Sequence, residues 1–79
     1  MSEDISGYEN QLAQTIRAFR KSRGLSQADL ADKAGLDRKT INRIENGHYS
    51  PTMSNFFCIS KALEIEPHQL LAPTVSTSR

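Results

Sequence analysis

Between residues 26 and 47 the chain reads SQADLADKAGLDRKTINRIENG, and this stretch decides the fold. Ser26 is an N-cap, with Asp29 at the third helical position able to bond back to it. Leu30, Ala31 and Ala34 then fall on one face of a helix, and Gly35 supplies the left-handed residue that ends it. Asp37 is a second good N-cap. It opens a helix that turns Ile41 and Ile44 inward and stops before Gly47. The register is Gln27, three residues, Ala31, three residues, Gly35, five residues, Ile41, two residues, Ile44. Ala31 is small where the next helix crosses close to it, and Gly35 allows the tight turn. Leu30, Leu36, Ile41 and Ile44 lock both helices against a third. Such spacing describes a helix-turn-helix.

Placing Ile41 and Ile44 inside places Arg38, Lys39, Asn42 and Arg43 outside. They pair at i, i+4 spacing, 38 with 42 and 39 with 43. Arg and Lys suit the O6/N7 edge of guanine, and Asn suits the N6/N7 edge of adenine. A helix with this free outer face fits a DNA major groove.

Outward from the motif, the reading is helical throughout. The first helix begins near Ser6, where Ser6 and Glu9 form a capping box; it carries Leu12, Ile16 and Phe19 and ends at Gly24. After Pro51, Thr52 caps a fourth helix on which Met53, Phe56, Ile59, Ser60 and Leu63 share a face. Pro67 suits the first turn of a short fifth helix with Leu70 and Leu71, and Pro73 bars its continuation. No alternating apolar and polar run suggests a strand. The expected organisation is a tail at 1–5, one all-α domain of five helices at 6–72, and a tail at 73–79.

Composition narrows the function classes. The chain has 79 residues, 37% of them apolar and 24% charged, which fits one small globular domain. A core of this size supplies on the order of 3–5 kcal/mol, so a partner or a second copy would add to its stability. One Cys permits neither an intrachain disulfide nor a Cys-based zinc site, which suits the cytoplasm. Neither a membrane span nor a signal-peptide pattern is expected. His48 and His68 lack metal-ligand spacing, no nucleophile–base pair stands out, and no glycine loop could cradle a phosphate. No cofactor, metal or catalysis is expected.

The net charge of +1 hides an uneven distribution. Residues 1–16 hold Glu3, Asp4 and Glu9 and no base. Residues 17–45 hold Arg17, Arg20, Lys21, Arg23, Lys33, Arg38, Lys39 and Arg43 against Asp29, Asp32, Asp37 and Glu45, a surplus of four positive charges. Residues 46–79 balance. A polyanion-binding surface therefore belongs in the middle third. Arg17, Lys21 and Arg23 suit a solvated face and a DNA contact equally. Cys58 lies opposite the apolar face of its helix, as a plain exposed thiol, a subunit contact or a redox switch.

The 26–47 run resembles the lambda-repressor and Cro type of helix-turn-helix, also called the xenobiotic response element family. It is similar too to the small controller proteins of restriction–modification systems. The resemblance spans roughly residues 9–71, including the later KALEIEPHQLL stretch. It implies a five-helix lambda-repressor-like domain that acts as a sequence-specific transcriptional regulator, usually a homodimer on a pseudo-palindromic operator of double-stranded DNA. Carried over by position, base reading falls to Arg38 and Lys39 first, then Arg43 and Asn42. Phosphate contacts fall to Ser26, Gln27, Thr40, Asn46 and Arg20. Arg20 is also implied as the ion-pair partner of Glu45; both residues flank the expected core. Leftover apolar surface at Phe57, Leu70 and Leu71 suggests a dimer interface, and relatives pair near the fifth helix.

Two departures stand out. The loop after the third helix is His48, Tyr49, Ser50 where relatives often place Lys or Arg. Glu64 occupies a position where they commonly have Gly, so either a non-glycine residue takes a left-handed cap or the cap is built differently. The alternative function is an antitoxin or another protein-interaction module on the same fold.

Overall fold

The computed structural model describes residues 6–71. The tails at 1–5 and 73–79 lie outside these residues, as do Ala72 and the Ser6 side chain of the expected capping box. Five helices follow in order: α1 Ser6–Ser22, α2 Gln27–Ala34, α3 Arg38–Glu45, α4 Met53–Leu63 and α5 His68–Leu71. No strand occurs among the described residues.

The helix ends follow the sequence signals. Ser26 Oγ accepts from the Asp29 amide at 2.9 Å, and the Ser26 amide donates to Asp29 Oδ2 at 2.9 Å, a complete capping box for α2. Asp37 caps α3 by accepting from the Thr40 amide at 2.9 Å, and Thr52 caps α4 by accepting from the Asn55 amide at 3.0 Å. Gly35 ends α2 at φ +73°, and the Leu36 amide returns to the Ala31 carbonyl at 2.9 Å. Gly47 follows α3 at φ +75° with no room to spare, since a Cβ there would lie 2.5 Å from Asn10 Oδ1. That close approach seats the α3–α4 loop against α1, where Ser50 also donates to the Glu9 carboxylate.

Packing builds one core. Ile16 of α1, Leu30, Ala31 and Ala34 of α2, and Ile41 and Ile44 of α3 meet Phe56, Ile59 and Leu63 of α4 and Leu70 of α5. Each large side chain in that set contributes about 1.5–3 kcal/mol of transfer free energy. Leu12, Phe19, Leu25, Leu36 and Ile65 pack around its edge. α2 packs on both α3 and α4, while α1 packs on α3 and α5. Ala31 and Ala34 are the small residues that α2 contributes to this core. Buried hydroxyls bond one turn back along their own helices: Thr15 to the Gln11 carbonyl and Ser60 to the Phe56 carbonyl, each at 2.8 Å.

Three expectations need correction. Met53 does not share the inward face of α4; it is 66% exposed, whereas Phe56, Ile59 and Leu63 of the same stripe are buried. Cys58 is half-buried against the core rather than turned away from it. Leu70 is 1% exposed and belongs to the core, so it is unavailable to a second subunit; Leu71 beside it is 67% exposed. Adjacent helical residues point about 100° apart, so only one of the two leucines can face inward.

The C-cap of α4 departs from the usual chemistry. Glu64 adopts φ +62°, ψ 42°, a left-handed conformation that an L side chain disfavours. Arg23 braces it from the end of α1, donating from Nε to the Leu63 carbonyl at 2.7 Å and from Nη2 to the Glu64 carbonyl at 3.4 Å. A guanidinium on the last carbonyls of a helix satisfies orphan acceptors and opposes the negative end of the dipole. Glu64→Gly should therefore raise stability by roughly 0.5–1 kcal/mol, the relief of strain less the added freedom of the unfolded chain. Urea denaturation monitored by circular dichroism measures this; a lower midpoint would mean that the Glu64 side chain contributes more than its backbone costs.

Candidate nucleic-acid interface

α3 is amphipathic in the strict sense. Ile41 is 0% exposed, Ile44 2% and Glu45 6%, whereas Arg38, Lys39, Asn42 and Arg43 are all exposed. Arg38, Lys39 and Asn42 border a shallow open concavity of about 310 Å³. Among the described residues, Arg20–Glu45 is the only ion pair, so Arg38, Lys39 and Arg43 have no carboxylate partner there. Three uncommitted cationic groups and an amide thus project from one short helix.

What holds that helix in place is the ion pair beneath it. Arg20 Nε donates to Glu45 Oε2 at 2.6 Å and Nη2 to Oε1 at 3.0 Å, a two-pronged contact between α1 and the last turn of α3. Nη1 donates to the Leu25 carbonyl at 2.8 Å, tying the same group to the α1–α2 loop. The Arg20 side chain is 9% exposed and that of Glu45 2%. The hydrogen bond to Glu45 raises the Arg20 pKa above its ordinary value; burial opposes this and the Glu45 charge adds to it. Arg20 therefore stays charged throughout the accessible pH range.

The Glu45 carboxylate also accepts from Gln27 Nε2 at 3.1 Å. Gln27 Oε1 accepts in turn from Asn42 Nδ2 at 3.2 Å, and Asn42 Oδ1 accepts from Asn46 Nδ2 at 3.2 Å. Residues that the sequence presents as separate contacts are one chain of side chains running from the core to the surface. Sequence reasoning named each of them but not the connection. The only signal for it was the i, i+4 spacing of Asn42 and Asn46; that Gln27 reaches both Glu45 and Asn42 depends on how α2 crosses α3.

The remaining candidates are more dispersed. Ser26 is exposed at the start of α2, with its hydroxyl already accepting within the capping box. Thr40 is half-buried in the first turn of α3. Phe57 on α4 and Leu71 on α5 are 50% and 67% exposed. His48 and Tyr49 are exposed in the loop after α3. Among the described residues no three His, Cys, Asp or Glu side chains gather to hold a metal ion, and no helix is long and apolar enough to cross a membrane.

Comparison with known proteins points the same way. A helix-turn-helix family model (HTH_3) matches residues 16–70. A hypothetical transcription factor of Neisseria meningitidis is 37% identical over 62 residues, covering 78% of this chain and 58% of the relative. The chain thus spans little more than half the length of that relative. The restriction–modification controller protein C.AhdI from Aeromonas hydrophila superposes with a TM-score of 0.83 at 34% identity, covering 86% of this chain and 99% of that one. The P22 c2 repressor in complex with a synthetic operator superposes with a TM-score of 0.72 at 33% identity, covering 76% of this chain and 91% of that one.

Two outcomes follow from this geometry. Arg20→Met strands the Glu45 carboxylate and should cost about 3–5 kcal/mol, comparable with the whole stability expected of a domain this small. Circular dichroism should show it largely unfolded at 25 °C, and adding Glu45→Leu should restore most of the helical signal. A fully folded single variant would contradict the role given to the pair. The second outcome concerns acid. Hydrogen bonds to the Ser26 backbone and side chain hold the Asp29 carboxyl below its ordinary pKa, and those from Thr40 do the same for Asp37. A depressed folded-state pKa contributes stability above the unfolded value, near 4, that is lost as pH falls through the folded value. Urea midpoints should thus drop below about pH 4, and less steeply in Asp37→Asn, which caps without titrating. An unchanged acid slope in that variant would remove Asp37 from the account.

Proposed function

The chain belongs to the helix-turn-helix (HTH_3) family, and on that premise we propose that it is a sequence-specific DNA-binding transcriptional regulator acting as a homodimer in the cytoplasm. The observation that carries this reading is α3 itself: anchored from within by Ile41, Ile44 and Glu45, it exposes Arg38, Lys39, Asn42 and Arg43, and among the described residues its three cations have no carboxylate partner. The B-DNA major groove, about 12 Å wide, admits one helix. Arg38 and Lys39 at the start of α3 donate to the O6 and N7 acceptors of guanine, Asn42 makes the paired contact with adenine, and Arg43 reaches a further base edge.

Register on the duplex comes from the phosphates. Ser26 and Gln27 stand at the positive end of α2, a suitable place for an anion. Thr40 lies in the first turn of α3 among the reading residues, and Asn46 stands at the C-cap beyond them. Arg20 has two guanidinium N–H bonds beyond its three contacts within the fold, and these extend toward the same strand. Phe57 and Leu71 form the apolar surface by which two subunits pair. Two α3 helices then enter successive major grooves about 34 Å apart. Occupation of a promoter by the dimer blocks polymerase access.

Selection of bound sequences from random duplex DNA at two salt concentrations tests this. The expected result is a two-fold symmetric site with half-sites one helical turn apart and affinity that falls steeply with salt. Arg38→Ala should cost about 1–3 kcal/mol on that site and relax preference at one base pair. Salt-sensitive binding with no enriched sequence, or no binding, would overturn the proposal in favour of a protein-interaction module.

A further inference from the structure

The side-chain chain that begins at Glu45 has a direction. A primary amide can be turned end for end and still offer one donor group and one acceptor, so an isolated Asn or Gln on a surface has two usable orientations. An ionised carboxylate has no such freedom, because it only accepts. Both Glu45 oxygens accept from the Arg20 guanidinium, which has only donors to offer. Gln27 must therefore turn Nε2 toward Glu45, and it does so at 3.1 Å. Its Oε1 then faces outward and can be met only by a donor. Asn42 supplies Nδ2 at 3.2 Å, which leaves Asn42 Oδ1 on the opposite side, where Asn46 Nδ2 meets it at 3.2 Å. One buried charge thus sets the orientation of three successive amides, the last two exposed, on α3 and at its C-cap.

We propose that Gln27 is a positioning residue that fixes the amide orientation of Asn42 and so determines which base Asn42 accepts. The proposal rests on the reading of α3 as the base-contacting helix. Gln27 and Asn46 occupy one Nδ2 hydrogen and one Oδ1 lone pair of Asn42. One of each remains, and that donor–acceptor pair matches adenine, whose N7 accepts and whose N6 donates. A guanine offers two acceptors at the same edge and cannot satisfy Oδ1. Without Gln27 the Asn42 amide regains its second orientation, and the penalty against other bases weakens. Gln27 also retains a second Nε2 hydrogen for a phosphate, so one side chain joins the contact that sets register to the contact that reads sequence.

The test compares the full chain with Gln27→Met, which keeps the length of the side chain and removes both hydrogen bonds, and with Asn42→Ala and the double variant. Circular dichroism first checks that each is folded. Selection from random duplex DNA then gives the base preference at every operator position. The expected result is that Gln27→Met relaxes the same base pair as Asn42→Ala, lowering discrimination there by roughly 5- to 100-fold, and that the double variant is no more relaxed at that pair than Asn42→Ala alone. Relaxation by Asn42→Ala with an unchanged or uniformly weakened profile for Gln27→Met would overturn the proposal and leave base reading by Asn42 intact. No change at any base pair in Asn42→Ala would overturn base reading by Asn42 and the positioning role with it. A readout in the free protein stands beside these. In Gln27→Met the Asn42 side-chain NH₂ resonances should shift toward those of a free amide; resonances that stay in place would overturn the proposal whatever DNA does.

Discussion

The Arg20–Glu45 ion pair is the contact on which the rest of the molecule depends. Burying two charges is expensive, and a pair so placed is favourable only when geometry is good and remaining donors are satisfied. Here the guanidinium spans both carboxylate oxygens and gives its third nitrogen to the Leu25 carbonyl. The contact joins the C-terminal half of α1, the loop into α2 and the last turn of α3. In a chain with so small an apolar core, one such junction defines how three helices sit together. It also fixes the rotation of α3 about its axis. With Glu45 inside alongside Ile41 and Ile44, no choice remains for Arg38, Lys39, Asn42 and Arg43 but the surface.

That division explains how a nearly neutral protein can offer a cationic face. Three of the four carboxylates of the central segment are engaged within the fold. Asp29 and Asp37 accept backbone amides at the starts of α2 and α3, and Glu45 is paired below the surface. The bases of α3 are not committed at all among the described residues. A polyanion approaching α3 meets three cationic side chains on one face, with the Glu45 charge paired below the surface, so attraction there follows from arrangement rather than from net charge. The same economy appears at the far end of the fold. Arg23, which composition alone leaves as a surface base, closes the strained left-handed C-cap at Glu64.

Much of this was legible in the residues. Caps at Ser26, Asp37 and Thr52, the stop at Gly35 and the spacing of Leu30, Ile41 and Ile44 are local signals, and local hydrogen bonding and periodicity answer them directly. The outward set on α3 is equally local, since a helix with two inward isoleucines has only one other side. Periodicity was weaker in α4, where Met53 falls on the apolar stripe yet stays exposed, and in α5, where two leucines compete for one inward direction. In both cases burial depends on what lies across from the helix, which spacing along it does not contain.

Sequence by itself therefore determined the five helices, their ends, the turn between α2 and α3 and the cationic face of α3, because each follows from interactions within a few residues of one another. Tertiary structure alone decided three things: that Gln27 bridges Glu45 and Asn42, that Arg23 caps α4 across 40 positions of sequence, and that Leu70 rather than Leu71 enters the core. Those are contacts between side chains whose separation is set by helix crossings. A difference of an ångström or two in a crossing would make or break every one of them, and no pattern of residue types encodes a distance of that kind.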